Sequence, residues 1–425
     1  MPWSPTLAPP QQRYDDVWFF DENTAVAVNS SGEILKTTDR GMSWPKKFQT
    51  PAYLRCLAFA DTKQGWAGTT THEHRLYRTS DGGETWSRVD NLPSVPDKIC
   101  CLYAASKNVV YGSGTNDPSD GAAMIKTTDG GATWQGIDMS AHASSLIDVH
   151  FRDEQRGFVV GGFTKDPQPS YENVRPVILE TQDGGRTWVN RLEGMRSEFV
   201  DGTWGWKIQF VNDSLGYVSL ENFTRALILR TTDGGKTWRK IDVAGNANLE
   251  GIGFLDETNG WVGGWGDETF MAGTSSFTGD GGQSWANANE IGRFINRFRF
   301  FGTPARFGYA SGRSVYRFSS QPVPAVAAIA PARSLIKSSD DAVYRDPAVP
   351  INIDIPPGAK QVSIQIWNRF AKEISVLLNE STPTPGARTV TWDRKDEKGN
   401  SVAPGFYIYR ITIDDHAESQ VISLK

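Results

Sequence analysis

Short apolar runs alternate with polar turns along most of the chain, and the runs recur in the same order. An apolar strand, an acidic turn and a Gly-rich or aromatic strand make up "LAFADTKQGWAGT", "VHFRDEQRGFVVGG", "IQFVNDSLGYVSL" and "IGFLDETNGWVGGW". Weaker copies are "VWFFDENTAVAVN", "CLYAASKNVVYGSG" and "FRFFGTPARFGYASG". Runs of this length, separated by turn residues, predict β-strands in seven repeated units.

A second string, here called the box, follows each of the first six units. Its copies are "TTDRGMSW", "TSDGGETW", "TTDGGATW", "TQDGGRTW", "TTDGGKTW" and "TGDGGQSW", and their tryptophans lie 42 to 54 residues apart. A period in the forties with β-type turns is typical of a propeller, in which each unit is one four-stranded blade. The box aspartates and tryptophans are Asp39 and Trp44, Asp81 and Trp86, Asp129 and Trp134, Asp183 and Trp188, Asp233 and Trp238, and Asp280 and Trp285.

The seventh unit lacks a box and a fourth strand, and the N-terminus offers the missing piece. Trp3 lies 41 residues before Trp44, in phase with the box tryptophans. We therefore predict that "WSPTL" is the outer strand of blade seven, which closes the ring and leaves no free sheet edge.

The residue types of the box suit a structural turn between the third and fourth strands of a blade. An aspartate at a turn start accepts hydrogen bonds from later backbone N–H groups, and the second Gly suits a positive φ. The position before that Gly tolerates Arg40, so only the second Gly is expected to be required. Each box brings a single carboxylate, so we interpret it as a fastener and not as a metal or catalytic site.

The string S/T-x-D-x-G-x-S/T-W resembles the Asp-box, or BNR repeat, of sialidases, two-propeller xyloglucanases and sortilin-type propellers. The whole unit, "F-x-D-x-x-x-G-W-x-x-G" followed by "L-x-T-x-D-G-G-x-T-W", is most similar to the Ycf48-type photosystem II assembly and stability factors and their bacterial relatives. The resemblance covers residues 1 to about 319. It implies an all-β, seven-bladed propeller and is weakly specific for function.

A second unit follows the propeller. Residues 1–319 are the predicted propeller, 320–345 a Pro- and Ala-rich linker, and 346–425 a small domain with alternating strand patterns. Its pattern W-D-x-x-D-x-x-G-x-x-V-x-x-G-x-Y resembles the FlgD-like immunoglobulin-type domain. That resemblance implies a β-sandwich without chemistry of its own, and it uses Trp392, Asp393, Asp396, Gly399, Val402, Gly405 and Tyr407.

Composition narrows the function classes. The net charge is -5 and charged residues make up 22%, so no basic excess indicates nucleic acid. No apolar run is long enough for a membrane helix, and three cysteines with no zinc spacing predict no metal site. We expect no cofactor.

A secreted or periplasmic location is expected because the propeller is complete without a leader, and a cytoplasmic one stays open. The oligomeric state is left open.

We predict that a partner binds on the face opposite the boxes, here called the long-loop face. It carries the loops that join strand two to strand three within a blade and strand four to strand one of the next blade. These loops are longest in blades three to six, and long loops on a rigid scaffold often carry binding residues. Aromatic residues with Arg and carboxylates suit a peptide or a glycan. The candidate binding residues are Tyr171, Glu172, Arg175, Arg196, Glu198, Asp201, Trp204, Trp206, Arg225, Trp265 and Asp267. Trp204 and Trp206 could equally pack inside a blade, and the charged residues could be solvated loop side chains.

Two functions fit these observations. The first is a non-enzymatic binding or assembly scaffold that recognises a protein or glycan partner on the long-loop face. The alternative is a glycoside hydrolase, sialidase-like or xyloglucanase-like, with a carboxylate pair among Glu172, Glu198, Asp201 and Asp267. Two observations count against the alternative. The string "VRPV" at residues 174–177 resembles the arginine-containing motif that sialidases have before their first box, but here it lies after three boxes. A xyloglucanase-type cleft lies between two propellers, and only one propeller is present.

Overall fold

Seven sheets of four antiparallel strands form the first part of the chain, as the repeats predict. The computed structural model describes residues 3–9, 13–115, 117–222, 224–243, 248–266, 275–288, 291–302, 305–319, 342–369, 372–414 and 416–425. Within six sheets the strands pair in chain order, and the first strand of each blade contacts the first strands of its neighbours. The first strands therefore surround the propeller axis, and the predicted seven-bladed propeller is confirmed.

The strands of the propeller are short and largely buried. In chain order they are β1 (Trp3–Pro5), β2 (Tyr14–Phe19), β3 (Ala25–Asn29), β4 (Glu33–Thr37), β5 (Lys46–Gln49), β6 (Leu54–Phe59), β7 (Gly65–Thr69), β8 (Leu76–Thr79), β9 (Ser87–Arg88), β10 (Cys101–Ala104), β11 (Val110–Gly114), β12 (Ala123–Thr127), β13 (Gln135–Asp138), β14 (Ser145–Phe151), β15 (Gly157–Phe163), β16 (Arg175–Thr181), β17 (Val189–Asn190), β18 (Trp204–Phe210), β19 (Gly216–Glu221), β20 (Leu227–Thr231), β21 (Arg239–Asp242), β22 (Leu249–Phe254), β23 (Gly260–Gly264), β24 (Ser275–Thr278), β25 (Ala286–Asn287), β26 (Arg297–Gly302), β27 (Ala305–Ser311) and β28 (Val315–Ser319). In the described part of the chain, three 3-10 helices lie in loops, at His72–His74, Pro118–Asp120 and Glu193–Glu198.

The N-terminal strand closes the ring, as predicted. β1 pairs antiparallel with β28, with Trp3 opposite Phe318. The Trp3 ring meets the rings of Phe318 and Trp261 edge-on at centroid distances of 5.3 and 5.6 Å. Because β1 and β28 come from opposite ends of the propeller sequence, this aromatic cluster joins the first and last segments.

The boxes are turns between the third and fourth strands of blades one to six. In the first, Asp39 accepts hydrogen bonds from the backbone N–H and the hydroxyl of Ser43, and Thr37 Oγ1 accepts one from the Gly41 N–H. The other five boxes have the same pattern. Both central residues of the turn have positive φ, including Arg40 at 64°. The first central position therefore also takes a positive φ, although it holds Arg40 in this box and not Gly.

The C-terminal part forms two further sheets. Its strands are β29 (Ala342–Tyr344), β30 (Val349–Ile355), β31 (Gln361–Asn368), β32 (Glu373–Ser381), β33 (Gly386–Trp392), β34 (Gly405–Ile413) and β35 (His416–Leu424). The five-stranded sheet has the order β29-β35-β34-β31-β32, and β30 pairs with β33. Alternate residues of β30, such as Ile351 and Ile353, share a buried core with Trp392. The FlgD-like assignment stays a prediction.

The second unit begins before its predicted boundary at 346. β29 pairs in parallel with β35, with Val343 opposite Ser423, and so lies inside the stretch 320–345 assigned to the linker. A three-residue strand is too short to show an alternating pattern, and its partner strand ends the chain. Residues 320–341 lie outside the described residues.

Candidate functional site

The innermost strands share a β-bulge that turns one extra side chain toward the channel on the propeller axis. In β2, β6, β14, β18 and β22 the register shifts at the same place, for example between Tyr14 and Asp16. A bulge leaves one residue outside the ladder and re-aims its side chain. These residues and their equivalents in blades three and seven form the upper ring, nearest the long-loop face: Asp15, Arg55, Cys100, Ile147, Trp206, Glu250 and Asn296.

The upper ring is a buried ion-pair network. Arg13 lies 3.0 Å from Asp15 and binds both carboxylate oxygens of Glu250 at 2.9 Å. Arg55 binds the same carboxylate of Asp15. Asn296 donates to Asp15 and Glu250, at 3.3 and 3.2 Å. All of these side chains are buried, so their charges are tolerated only because they are paired.

The next residues along the same strands form the lower ring: Asp16, Cys56, Cys101, Asp148, Lys207, Gly251 and Arg297. Arg297 binds Asp148 at 2.7 Å. Burial acts to raise the pKa of Asp148, but the charges of Arg297 and Lys207 outweigh it and hold that pKa well below its ordinary value. Burial raises the pKa of the Cys101 thiol to about 12, so it stays protonated and unreactive.

Two lower-ring carboxylates also join blades. Asp16 accepts a hydrogen bond from the backbone N–H of Leu57 on the next blade, and Asp148 accepts one from the N–H of Ile208, both at 3.0 Å. These carboxylates are therefore occupied by structural hydrogen bonds and by arginines, which leaves them unsuited to act as a general base.

The channel opens on the face that carries the boxes, here called the box face. A cavity of about 320 Å³ lies there, where the innermost strands end. We call its rim the mouth: Trp18, Tyr103, His150, Gln209, Arg299, Phe300 and Phe301. The Arg299 guanidinium lies 4.6 Å above the Trp18 ring and 3.1 Å from Asp16. Phe301 is 48% exposed, a large value for an aromatic side chain.

The charges around the mouth are unequal. Lys207, Arg297 and Arg299 face two carboxylates, Asp16 and Asp148. Burial lowers the pKa of His150 to about 4, so its imidazole is neutral near neutral pH. The lower ring and the mouth together thus carry one excess positive charge beside an aromatic rim, which suits an anionic group carried next to apolar side chains.

The structure brings six of the predicted long-loop residues into one neighbourhood. Tyr171 stacks on Trp204 with ring centroids 5.5 Å apart, and Trp204 contacts Trp206. Arg175 binds Asp201 at 2.7 Å and reaches the carbonyl oxygen of Arg196. Trp204 and Trp206 are buried, so they pack the start of β18, the alternative weighed from sequence. Trp206 also lies beside the Arg55 guanidinium in the channel.

The other predicted residues are dispersed. Glu172 and Glu198 are exposed, and Arg225 pairs with Asp242 at 2.6 Å on the surface. Trp265 is fully buried and stacks on Phe406 of the C-terminal domain at 5.1 Å. Asp267 lies outside the described residues. A binding role for the exposed members of this set stays a prediction.

The C-terminal domain contacts the centre of the long-loop face. Arg410 donates hydrogen bonds to the carbonyl oxygens of Ser31, Thr50 and Pro51 in blade one and at its junction with blade two. Lys372 pairs with Asp117 at 2.5 Å. A shared apolar cluster contains Tyr53, Trp265, Phe294, Trp367, Phe406, Ile408 and Val421. The inner part of the predicted binding face is therefore an interface within the chain.

The channel residues were missed from sequence, although a signal exists. If the segments "YDDVWF", "YLRCLAF", "CCLYA", "LIDVHF", "WGWKIQF", "LEGIGF" and "INRFRF" are aligned, charged residues fall at equivalent positions in otherwise apolar strands. A charge at a core position of a repeat is unexpected unless it is paired. Its partner, however, comes from another blade with a different sequence.

Among the residues that the structure describes, no helix is long and apolar enough to cross a membrane. Within the same residues, no three His, Cys, Asp or Glu side chains cluster as a metal site would require.

Comparison with solved structures supports the architecture. A YCF48 structure bound to D1 peptide is 16% identical, with a TM-score of 0.56, and the match covers 76% of this chain and 98% of that one. YCF48 from Cyanidioschyzon merolae is 17% identical with a TM-score of 0.56 and covers 75% and 99%. The GH74 enzyme of Niastella koreensis is 12% identical with a TM-score of 0.55 and covers 99% and 74%. At these identities the likeness establishes the fold alone.

Comparison with protein families is more specific. No curated protein sequence matches the chain. The model of the family described as photosynthesis system II assembly factor YCF48 matches residues 1–137 and 132–246, which together are more than half of the chain. By this match, and in agreement with its seven blades, six of which carry an Asp-box-type turn, the chain belongs to the YCF48 family of photosynthesis system II assembly factors.

Proposed function

We propose that this protein is a non-enzymatic scaffold that binds a peptide segment of a partner protein in the mouth of its channel, on the box face. The proposal rests mainly on one observation: the Arg299 guanidinium and the exposed ring of Phe301 lie together at the mouth, where positively charged side chains outnumber carboxylates. A guanidinium beside aromatic surface is a common anchor in protein–protein recognition. The family match and the solved YCF48 structure bound to D1 peptide support a protein partner.

The chemistry of the mouth selects among peptides. Three cations against two carboxylates favour an acidic segment, and the rim formed by Trp18, Phe300 and Phe301 favours an adjacent apolar or aromatic side chain. A cavity of about 320 Å³ holds a few side chains and not a folded domain. The partner is therefore expected to present an extended acidic segment or a turn.

The hydrolase alternative finds less support in the geometry. A glycosidase needs two carboxyl groups facing a cleft, one of them with a raised pKa. Burial raises the pKa of Glu221 to about 7, but this carboxyl lies against Arg369 of the C-terminal domain and is 1% exposed. Asp201, on the long-loop face, is paired with Arg175. A glycan partner is not favoured by any contact described above.

The proposal is tested by selecting peptides from a random display library on the wild-type protein. Each round is counter-selected against Arg299→Glu, which reverses the charge at the mouth. We expect enrichment of sequences with two or more acidic residues next to an aromatic one. Enrichment of basic sequences, or of sequences that bind Arg299→Glu equally well, would contradict the proposal. Hydrolysis of a chromogenic glycoside by the wild-type protein would favour the alternative.

A further inference from the structure

The upper end of the channel carries more negative than positive charge from the propeller itself. Three buried carboxylates, Asp15, Glu221 and Glu250, face two propeller guanidiniums, Arg13 and Arg55. Asp15 and Glu250 form ion pairs with those arginines. Glu221, at the end of β19, is the carboxylate for which the described propeller residues supply no ion-pair partner. A buried carboxylate without a cation is strongly unfavourable.

The C-terminal domain supplies the missing cation. Arg369, directly after β31, places Nη1 3.0 Å from Glu221 Oε1 and 3.0 Å from Asn248 Oδ1. The carbonyl oxygen of Arg369 accepts a hydrogen bond from Arg13 at 3.0 Å. The Arg369 side chain is only 4% exposed. Six charged groups are thereby balanced, three of each sign, across two domains.

From this arrangement we infer that the upper end of the channel is a binding site for a guanidinium group, formed by Glu221, Asn248 and Glu250, and that the C-terminal domain fills it with Arg369 to close the channel. We call these three residues the guanidinium site. Its ligand class is an arginine side chain, and its occupant is a segment of the same chain. The inference does not depend on the function proposed for the mouth.

Three further observations describe how the site holds the cation of Arg369. Nη1 of Arg369 forms an ion pair with Glu221 and donates a hydrogen bond to Asn248 Oδ1. Asn248 adopts a positive φ of 51° and is fixed by a hydrogen bond from its Nδ2 to the Gly266 carbonyl. Burial, the largest influence, and Glu250 raise the pKa of Glu221 to about 7, and the charge of Arg369 offsets part of this rise.

Closure of this end has a structural consequence. Arg369 contacts the upper end of the channel, and Arg410, Lys372 and the shared aromatic cluster add further contacts between the two domains. The upper end of the channel is then filled by protein, while the mouth on the box face stays open. A ligand of the channel has to enter from the box face.

Chemical rescue tests the guanidinium site in the full-length protein. Arg369→Ala removes the guanidinium and leaves a vacancy that small cations can fill. Hydrogen exchange is measured for peptides covering 216–222 and 248–254, which contain the end of β19 and the start of β22. We expect exchange there to accelerate about 100-fold, because a buried carboxylate loses its partner.

Guanidinium chloride at low millimolar concentration should then restore slow exchange, whereas tetramethylammonium chloride at the same ionic strength should not. Arg388→Ala is the matched control, because Arg388 is an exposed arginine of the same domain that pairs with Glu380. It should leave exchange at 216–222 unchanged. Unchanged exchange in Arg369→Ala, or equal rescue by both salts, would overturn the inference.

A charge-removing pair covers the case in which Arg369→Ala does not fold. Arg369→Met keeps an unbranched apolar side chain without the charge, and Glu221→Gln removes the carboxylate charge. At alkaline pH, where Glu221 is ionised, the double variant should exchange more slowly at 216–222 than Arg369→Met alone, because no unpaired charge is left in the site. A double variant that exchanges as fast as the single one would contradict charge pairing as the basis of the site.

Discussion

Asp15 and Asp16 are consecutive residues of one strand, yet their carboxylates belong to different layers of the channel. Asp15 binds Arg13 and Arg55 in the upper ring, and Asp16 binds Arg299 at 3.1 Å near the mouth. The register shift between Tyr14 and Asp16 places Asp15 outside the β-ladder, so that both side chains can face the axis. A single β-bulge thus places one carboxylate in the upper ring and the next one near the mouth.

Loss of either carboxylate is expected to destabilise the propeller strongly. Asp15→Asn leaves Arg13 and Arg55 without their shared partner, and a broken buried ion pair costs about 3–5 kcal/mol. Asp201→Asn is the matched control, since Asp201 forms an exposed pair with Arg175, for which about 1 kcal/mol or less is expected. Chemical unfolding monitored by tryptophan fluorescence measures both. Equal unfolding midpoints for the two variants would contradict the assignment of the upper ring as a buried network.

Acid is expected to unfold the propeller through its box turns. In four boxes the Thr or Ser that lies four residues after the Asp donates hydrogen bonds to its carboxylate, chiefly from the hydroxyl. These bonds lower the pKa of the box aspartates from 3.8 to about 2 in Asp81, Asp129, Asp183 and Asp280. A carboxyl with a lowered folded-state pKa stabilises the fold above its unfolded pKa, and this contribution is lost as pH falls toward the folded value. Stability should therefore decrease as the pH falls from 3.8 to about 2.

An acid titration followed by circular dichroism measures this loss. The double variant Asp129→Asn, Asp183→Asn should be less stable at neutral pH and lose less additional stability between the two pH values. A stability that is flat from pH 4 to pH 2 would contradict the role given to the box carboxylates.

The first box carries a local strain that the others avoid. Arg40 adopts φ 64° where the other five boxes have Gly, and its side chain donates to Asn23 and Glu22 on the surface. A non-Gly residue in this region costs roughly 1–2 kcal/mol, and exposed contacts offset only part of that. Arg40→Gly should therefore stabilise the protein by about 1 kcal/mol.

Thermal unfolding measures the effect of Arg40→Gly, and Gly130→Arg, the reverse change at the equivalent position of the third box, is its control. Gly130 has φ 71°, so an arginine there should lower the melting temperature. A decrease for Arg40→Gly would show that its two surface contacts outweigh the backbone strain.

Much of the fold could be predicted because its signal is repeated. The boxes, the apolar strands and the position of Trp3 each depend on local pattern and period, and these gave seven blades and the closing strand. The role of Trp204 was harder to predict from sequence. A tryptophan at this position could either bind a partner from a loop or pack inside the blade, and its burial shows that it packs inside the blade.

The channel and the domain contact depend on residues far apart in sequence. Glu221 and Arg369 are separated by 148 positions, and neither stands in a motif. The long loops were predicted to bind a partner because long loops on rigid scaffolds often do. Here part of that face instead holds the chain's own C-terminal domain, a contact that no local pattern encodes.

The central claim is that a partner peptide binds at the mouth on the box face, and one set of dissociation constants tests it most directly. A peptide selected as described above is titrated into wild type, Arg299→Ala and Phe301→Ala, with Arg225→Ala and Glu172→Ala on the long-loop face as controls. Loss of a charged hydrogen bond is worth about 1.5–3 kcal/mol, so Kd should rise roughly 10- to 100-fold for Arg299→Ala. Phe301→Ala should weaken binding as well, and both controls should match wild type. Weakened binding in Arg225→Ala or Glu172→Ala, with wild-type affinity in Arg299→Ala, would contradict the claim.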